Sequence, residues 1–309
     1  MKRNLIVTVI FALLSATLLT MTSCSSGVNS GAENVTSVTE DFSAIEILAD
    51  ATDITVLPSS DGECRVASKS HKKISYTATV DGGVLAVREC DDRAWIERVI
   101  GSSDSSLTVY LPQSEYSSLL IDESTGDVRI DGDFHFGTLD VNLTTGDAAL
   151  DGIDADTLNV NVTTGDISLS DITCSGNAAV NTTTGDISLA GITCSGDVNI
   201  DTTTGDVTLS DVNCNTFTSN GTSSSIDMRD VIASGRMDIN TTTGDVIFER
   251  CDASEVVINT TTGDVKGSFL SDKIIFTDSS TGDIEVPKLT EGGRCDVETS
   301  TGDIEIEIK

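Results

Sequence analysis

The 309-residue chain has few aromatic, basic and histidine residues, and each shortage excludes a class of function. Aromatic residues make up 4% of the sequence, which leaves little material for a sugar-stacking groove or an aromatic interface hot spot. Only 18 lysines and arginines stand against 50 aspartates and glutamates, and the formal net charge is −32. Nucleic acid is therefore excluded as a partner, because phosphate binding needs basic side chains. The same negative field favours divalent cations and cationic partners.

Catalytic motifs are also missing. The two histidines, His71 and His135, lie in no metal-binding or nucleophile motif, and no G-x-S-x-G, C-x-x-C or H-E-x-x-H pattern occurs. The phenylalanines that flank His135 in "DGDFHFG" predict a loop at the surface. Clustered carboxylates on a β-helix can cleave polysaccharides, but an aspartate that recurs in every repeat is typical of a structural corner. We therefore predict that the chain is not an enzyme.

What the sequence has in abundance is a Thr-Gly-Asp repeat with a period of 19 or 20 residues. A degenerate copy, "TSSSID", places Ser225 at the aspartate position, so there are ten copies. Aliphatic residues recur two residues apart within each copy, which is strand periodicity. The aspartates of the repeat, which we call the Asp column, are Asp127, Asp147, Asp166, Asp186, Asp206, Asp245, Asp264, Asp283 and Asp303.

Each copy predicts a short strand, a Thr-Gly-Asp corner and a second short strand. One copy cannot bury its apolar side alone, but stacked copies can, each pairing with the next about 4.8 Å along the axis. We predict an all-β, single-stranded β-solenoid with rungs of about 19–20 residues. Clear repeats cover 117–309. Irregular strands and a cap precede them, and Trp95 is expected to cover the open end of the rod.

The Asp column has two interpretations. In the first, each carboxylate accepts hydrogen bonds from backbone N–H groups of its own corner, as in an Asx turn. In the second, Ca²⁺ is held between rungs by the carboxylates and the corner carbonyls. We favour the first interpretation and expect no cofactor, because the nine-residue period of Ca²⁺-binding toxin repeats is absent. Thr-x-Thr pairs such as Thr182 and Thr184 also suggest an ice-binding array, although Gly221 interrupts it.

Seven of the eight cysteines fall into three groups. Cys251 and Cys295 occupy aliphatic columns and are expected to be buried. The rung-to-rung spacing stacks Cys174, Cys194 and Cys214, either as a reduced packing ladder, which we favour, or as one disulfide with a free third thiol. In the segment before the repeats, Cys64 and Cys90 could also form a bridge, and the sequence leaves their state open.

The N-terminal sequence "MKRNLIVTVIFALLSATLLTMTSC" has a basic start, an apolar stretch and small polar residues before a cysteine. This pattern predicts a lipoprotein signal peptide over 1–23, with Cys24 lipidated; the alternative is an uncleaved membrane helix. A flexible tether is expected over 24–41 and the solenoid over 42–309. The protein would then be lipid-anchored on the extracytoplasmic face of the cell membrane, since no other apolar run is long enough to span it.

The segments "FSAIEILADATDITVLP", "VDGGVLAV" and "LTVYLPQSEYSSLLIDESTGDVRI", followed by recurrent "TTGDI" and "STGDI" rungs, resemble the bacterial family of domains named putative adhesin and the related toastrack domains. The resemblance covers about 42–309. It implies an extracytoplasmic, often membrane-tethered β-solenoid, and members are often associated with envelope-stress systems. It transfers no catalytic residue.

Two functions are favoured after these exclusions. The first is a non-enzymatic adhesion or interaction scaffold of the cell envelope, which would bind envelope proteins or surface glycans. The alternative is an extracytoplasmic envelope-stress sensor or regulatory domain that binds a membrane partner. A Ca²⁺-binding repeat protein and a polysaccharide-active enzyme are less favoured.

Replacing the cysteine of the predicted lipid anchor tests the localisation. Cys24→Ala should block lipidation, so that the chain accumulates as precursor or is released in soluble form. Fractionation of membranes and mass measurement of the product check this. A variant that stays membrane-bound with an unchanged mass would contradict the lipoprotein prediction.

Overall fold

The computed structural model describes residues 33–70, 73–92 and 105–309. Within these ranges the chain is all β, with no helix, and its strands are hydrogen-bonded into one continuous sheet. The strands in chain order are β1 (Asn34–Val38), β2 (Ala44–Ala49), β3 (Asp53–Pro58), β4 (Cys64–Lys69), β5 (Ile74–Asp81), β6 (Val84–Asp91), β7 (Ser106–Leu111), β8 (Glu115–Thr125), β9 (Val128–Thr145), β10 (Ala148–Thr164), β11 (Ile167–Cys174), β12 (Ala178–Thr184), β13 (Ile187–Cys194), β14 (Val198–Thr204), β15 (Val207–Cys214), β16 (Phe217–Ser223), β17 (Ile226–Thr243), β18 (Val246–Thr262), β19 (Val265–Phe269), β20 (Lys273–Thr281), β21 (Ile284–Glu285), β22 (Gly293–Thr301) and β23 (Ile304–Ile308).

Parallel pairing between copies of the repeat builds the predicted β-solenoid. Ile167 pairs with Ile187, and Ile187 pairs with Val207, so that equivalent residues lie directly above one another. The aliphatic columns point inward; Val160 and Val180, for example, are fully buried. Burial of these columns supplies the main stabilisation, at roughly 25 cal/mol per Å² of apolar surface. The sequence prediction of fold class is confirmed.

The glycine of each corner is required by the close stacking of the coils. Gly185 has a φ of +144°, and a Cβ on it would lie 2.0 Å from the carbonyl oxygen of Gly165 in the preceding coil. A larger residue would therefore have to push two coils apart. This explains why the corner repeats its glycine with so little variation.

The coils at the C-terminal end are not stacked in chain order. The last coil, β22–β23, pairs with β18–β19 on one side and with β20–β21 on the other. The expectation that each copy stacks on the next is therefore wrong for the final two copies. The coil of β20–β21, which carries Thr277 where the last copy has Val297, is outermost. The inward face of this coil is more polar than that of the last coil, so it is better suited to contact with water at the end of the stack.

A similar exchange occurs at the N-terminal end. The coil of β2–β3 lies between β6–β7 and the coil that begins with β8. Antiparallel strands β5 and β4 pair with β6 and β7, and β1 adds to β4. Part of the predicted tether, Asn34–Val38, is instead a strand: three of its five residues are β-branched, and it pairs with the free edge of β4. Trp95, Cys24 and the predicted signal peptide lie outside the described residues.

Aromatic packing corrects a second expectation. Phe134 and Phe136 are buried on β9, and their ring centroids lie 5.7 Å apart. The predicted surface loop around His135 is therefore wrong, because the alternation of a strand turns both phenylalanines into the core. His135 points outward, with Nδ1 3.5 Å from a carboxylate oxygen of Asp154. The other histidine, His71, lies outside the described residues.

All seven cysteines among the described residues are free thiols. Cys174 and Cys194 are in register on β11 and β13, which agrees with a reduced packing ladder. Burial is the main reason that the pKa of the Cys214 thiol rises to about 12. The predicted burial of Cys251 and Cys295 is confirmed. The sequence left open whether Cys64 and Cys90 form a disulfide. In the structure both are free thiols, Cys64 buried on β4 and Cys90 exposed on β6.

Paired cysteines test the exchanged order of the last coils. Asn259 lies opposite Glu298, whereas Asp278 lies one coil further out. Cysteines at 259 and 298 should form a disulfide on mild oxidation, while cysteines at 259 and 278 should not. The second pair is about 10 Å apart, twice the coil spacing, and a disulfide cannot bridge that distance. Peptide mapping of the oxidised variants checks this, and a 259–278 bridge would contradict the order.

Candidate functional site

The Asp column forms a ladder of hydrogen bonds along one corner of the rod. The backbone N–H of Asp186 donates to Asp166 Oδ1, and that of Asp206 donates to Asp186 Oδ1, each at 2.8 Å. The acceptor thus lies on the neighbouring coil. The prediction that each carboxylate accepts bonds within its own corner is wrong, because the stacked corner places the next coil's N–H closer. The degenerate copy keeps only the donor side of the ladder: the Ser225 N–H donates to Asp206 Oδ1, but Ser225 has no carboxylate to accept from the next coil.

Every predicted aspartate of the column takes part in this ladder. The sequence missed one member, Asp53, whose Oδ1 accepts the N–H of Asp127 at 3.1 Å. Its signal is weak because "DATD" lacks the preceding Thr-Gly. The remaining inter-coil bonds involve Asp127, Asp147, Asp245, Asp264, Asp283 and Asp303.

The ladder gives the aspartates a role that needs no metal. One carboxylate oxygen of Asp186 is already occupied by an N–H group. Among the described residues, no group of three or more His, Cys, Asp or Glu side chains is arranged to hold a metal ion. Ca²⁺ binding by the Asp column therefore gains no support from the geometry.

A second ladder runs parallel to the first, along the position five residues before each aspartate, where most copies carry asparagine. Asn161 Nδ2 donates to Asn142 Oδ1 at 3.0 Å, and Asn181 Nδ2 donates to Asn161 Oδ1 at 2.8 Å. Asp201 replaces an asparagine and accepts from Asn220 Nδ2 at 2.8 Å. Each amide has two donors and two acceptor lone pairs, so the ladder leaves part of its hydrogen-bonding capacity free.

Beside the Asn ladder lies an open groove, which we call the trough. Its larger section has a volume of about 530 Å³ and extends over six coils, from Asp122 to Asn220. At the coil spacing it is about 24 Å long. A second section of about 390 Å³ continues from Asn220 toward Glu298. No aromatic side chain lines either section, so among the described residues the trough offers hydrogen bonds rather than stacking.

The three threonines of each corner differ in exposure. Thr182 is buried, with its hydroxyl 3.4 Å from the carbonyl oxygen of Gly165, while Thr183 and Thr184 are exposed. A flat array of Thr-x-Thr pairs is therefore not present here, and the ice-binding suggestion is wrong. The exposed hydroxyl of Thr183 and its equivalents instead line the trough.

One coil departs from the pattern of the inward columns. Glu123 stands where the following coils carry Leu143, Val162 and Thr182, and it is 1% exposed. Its Oε1 accepts the backbone N–H groups of Thr52 at 3.2 Å and Thr125 at 3.1 Å. Burial is the main cause that raises the pKa of Glu123 to about 8, and the negative charges of Glu89 and Asp50 add to it.

Stacked parallel coils, aliphatic inner columns and polar ladders at the corners define a β-solenoid repeat protein. The chain belongs to the Toastrack DUF4097 family, whose model matches residues 42–207 and 194–309. No match was found among curated proteins. No helix in the described ranges is long and apolar enough to cross a membrane.

Several solved structures are similar to the chain at low sequence identity. A putative adhesin from Bacteroides fragilis is 14% identical, with a TM-score of 0.43, covering 91% of this chain and 100% of that one. A putative lipid binding protein from Parabacteroides distasonis is 12% identical, with a TM-score of 0.43, covering 89% and 97%. A putative adhesin from Parabacteroides merdae is 13% identical, with a TM-score of 0.29, covering 89% and 96%.

Substitutions in the Asp column separate the ladder from an ion site. Asp186→Asn with Asp206→Asn keeps both acceptor oxygens and removes two repelling charges, so the free energy of unfolding should change by about 0–1 kcal/mol. Asp186→Ala leaves the N–H of Asp206 without its acceptor and should cost roughly 1 kcal/mol. Denaturant unfolding measures both. Equal losses in the Asn and Ala variants would contradict the ladder.

Glu123 should make stability depend on pH in metal-free buffer. The folded pKa of about 8 lies above the ordinary value, so the native state holds a proton that the unfolded state has lost between about pH 5 and 8. Stability should therefore fall by up to a few kcal/mol as the pH rises through this window. Glu123→Gln should flatten this part of the profile. Thermal unfolding of both proteins from pH 5 to 9, with a chelator present, checks this. If the pH profiles of the wild type and Glu123→Gln were parallel, the raised pKa of Glu123 would be contradicted.

Proposed function

We propose that the chain is a non-enzymatic scaffold of the cell envelope whose trough binds linear, hydroxyl-rich polymers such as surface glycans. The observation that carries the proposal is the trough itself. It presents an amide and a threonine hydroxyl on most successive coils, over a length of about 24 Å by the coil spacing. A regular groove suits a regular ligand, because the same contacts can form at each coil.

The chemistry of the trough supports weak binding at each coil and stronger binding along a polymer. Asn161 uses one N–H and one oxygen lone pair in the ladder, and Asn181 uses one N–H. Their remaining donors and lone pairs are available to hydroxyl groups of a ligand. Without aromatic stacking, one sugar would gain little affinity. Several linked sugars would bind far better, because each added contact is intramolecular.

The proposed location follows from the N-terminus. Lipidation of Cys24 would anchor the protein to the extracytoplasmic face of the membrane. About ten residues lie between this cysteine and the first strand, at Asn34, and can span up to about 35 Å. The anchor would lie near the end covered by antiparallel strands. The trough would then extend away from the membrane, where a cell-surface polymer or an envelope protein can reach it.

A second candidate function, an envelope-stress sensor that binds a membrane partner, is favoured by the outer edge of β20. This strand pairs with β22 alone among the described strands. Phe276 on it is 54% exposed, and Ile284 on β21 is 45% exposed. An extended segment of a partner protein could add to such an edge. Phe276→Asp with Ile284→Asp should then abolish co-purification of a membrane protein and leave polymer binding unchanged.

Bulky substitutions in the trough test the first candidate. Thr183→Trp with Thr203→Trp should fill the groove and reduce sedimentation of the purified protein with insoluble cell-wall glycan at least tenfold, which corresponds to about 1.4 kcal/mol. Both threonines are exposed, so the fold should tolerate the change.

The matched control is Ser188→Trp with Thr208→Trp, on exposed strand positions outside the trough. This variant should sediment like the wild type. Equal binding by both variants, or no binding of the wild type to any insoluble glycan at low salt, would overturn the proposed role of the trough.

A further inference from the structure

A buried glutamate, Glu123, and a partly buried one, Glu89, lie in one column near the N-terminal end, separated by an alanine. Ala49 pairs with Glu123 on one side, and Leu48 pairs with Arg88 on the other, which places Glu89 opposite Ala49. The two acidic side chains thus come from coils on either side of a coil with a very small side chain. The resulting space between them is called here the Glu niche, formed by Glu89, Glu123, Thr52, Tyr76 and Ser105.

One oxygen of each glutamate is held by the surrounding backbone and hydroxyl groups. Glu89 Oε2 accepts the Thr52 hydroxyl at 2.9 Å and the Asp50 N–H at 3.0 Å. The Thr52 hydroxyl is also 2.5 Å from the hydroxyl of Tyr76. Glu123 Oε1 accepts the N–H of Thr52. Both carboxylates are therefore fixed in orientation, and their second oxygens are fixed with them.

Three buried oxygen atoms of the Glu niche have no hydrogen-bond partner. They are Glu89 Oε1, Glu123 Oε2 and Ser105 Oγ. No described lysine or arginine forms an ion pair with either glutamate. Buried polar atoms of this kind are costly unless something pairs with them, and an ionised carboxylate at the position of Glu123 would be more costly still without a cation beside it. Burial first, and then the charges of Glu89 and Glu123, raise the pKa of the nearby Tyr76 to about 12.

We propose that the Glu niche is a binding site for a hard divalent cation of the Ca²⁺ type. Ca²⁺ prefers six to eight oxygen ligands, in flexible geometry. The niche offers two carboxylates and the hydroxyls of Thr52, Tyr76 and Ser105, and water would complete the coordination. Only two acidic side chains converge, so the site differs from a cluster of three or more carboxylates. It also differs from the Asp column, whose carboxylates are exposed and hold N–H groups.

The surroundings of the niche provide a route for a cation. Glu89 also lines a surface hollow of about 450 Å³, together with Asp50, Asp91 and Asp122. These carboxylates attract cations from solution. A bound ion would join β5 and β6, which cover the end of the rod, to β8, which begins the regular coils. The cation would thereby stabilise the attachment of the cap to the repeats.

Thermal unfolding of the full-length protein tests the proposal. Wild-type protein in chelator-treated buffer should gain several degrees in Tm on addition of millimolar Ca²⁺, beyond the effect of NaCl at equal ionic strength. Glu89→Gln with Glu123→Gln should lose this gain. Asp186→Asn with Asp206→Asn removes the same charge from the exposed ladder and should keep it. A gain that survives in the Gln variant, or none in the wild type, would overturn the proposal.

A binding measurement that does not depend on stability completes the test. Tb³⁺, which replaces Ca²⁺ at oxygen sites, should luminesce when excited through Tyr76, and Ca²⁺ should compete it away. The signal should be lost in the double Gln variant and should remain in the Asn control. If the double Gln variant does not fold, the single variant Glu123→Gln should show the same loss. Signal lost in the Asn control and kept in the Gln variant would place the ion at the Asp column instead.

Discussion

Hydrogen bonding between equivalent residues of neighbouring coils is the interaction on which the other features of this protein depend. A single coil has no partner for its backbone groups and no second surface for its apolar side chains. Parallel pairing in register supplies both the backbone partners and the second surface. It also places equivalent residues of neighbouring coils above one another, as in Ile167, Ile187 and Val207. The tight corner at Gly185 is a direct consequence, because the neighbouring carbonyl leaves no room for a Cβ.

The same pairing decides what the surface can do. Identical polar residues stacked about 4.8 Å apart must either repel or bond. The aspartates offset repulsion by accepting N–H groups, and the asparagines bond to one another, which leaves part of the hydrogen-bonding capacity of each amide unused along the trough. Function is then expected where a row offers unused bonding capacity, as in the trough, or where a coil departs from its column, as at Glu123.

Much of this arrangement could be predicted from the sequence, because the period of the repeat fixes the stacking of columns. The inward columns, the burial of Cys251 and Cys295 and the existence of the Asp column all follow from spacing. The order of the end coils could not be predicted, since copies with interchangeable columns can stack in more than one order. The acceptors of the Asp column and the Glu niche also depend on three-dimensional register. Glu89 and Glu123 lie 34 residues apart, in and next to the least regular part of the sequence.

Amide hydrogen exchange at the exposed corners tests the inter-coil bonding most directly. Asp186 and Asp206 are exposed, yet their N–H groups donate to carboxylates of the preceding coil. The account predicts that these two amides exchange about as slowly as those of the buried neighbours Ile187 and Val207, whose N–H groups pair with backbone carbonyls. Exchange of the aspartate amides at the rate of unprotected surface amides, with Ile187 and Val207 still protected, would contradict it.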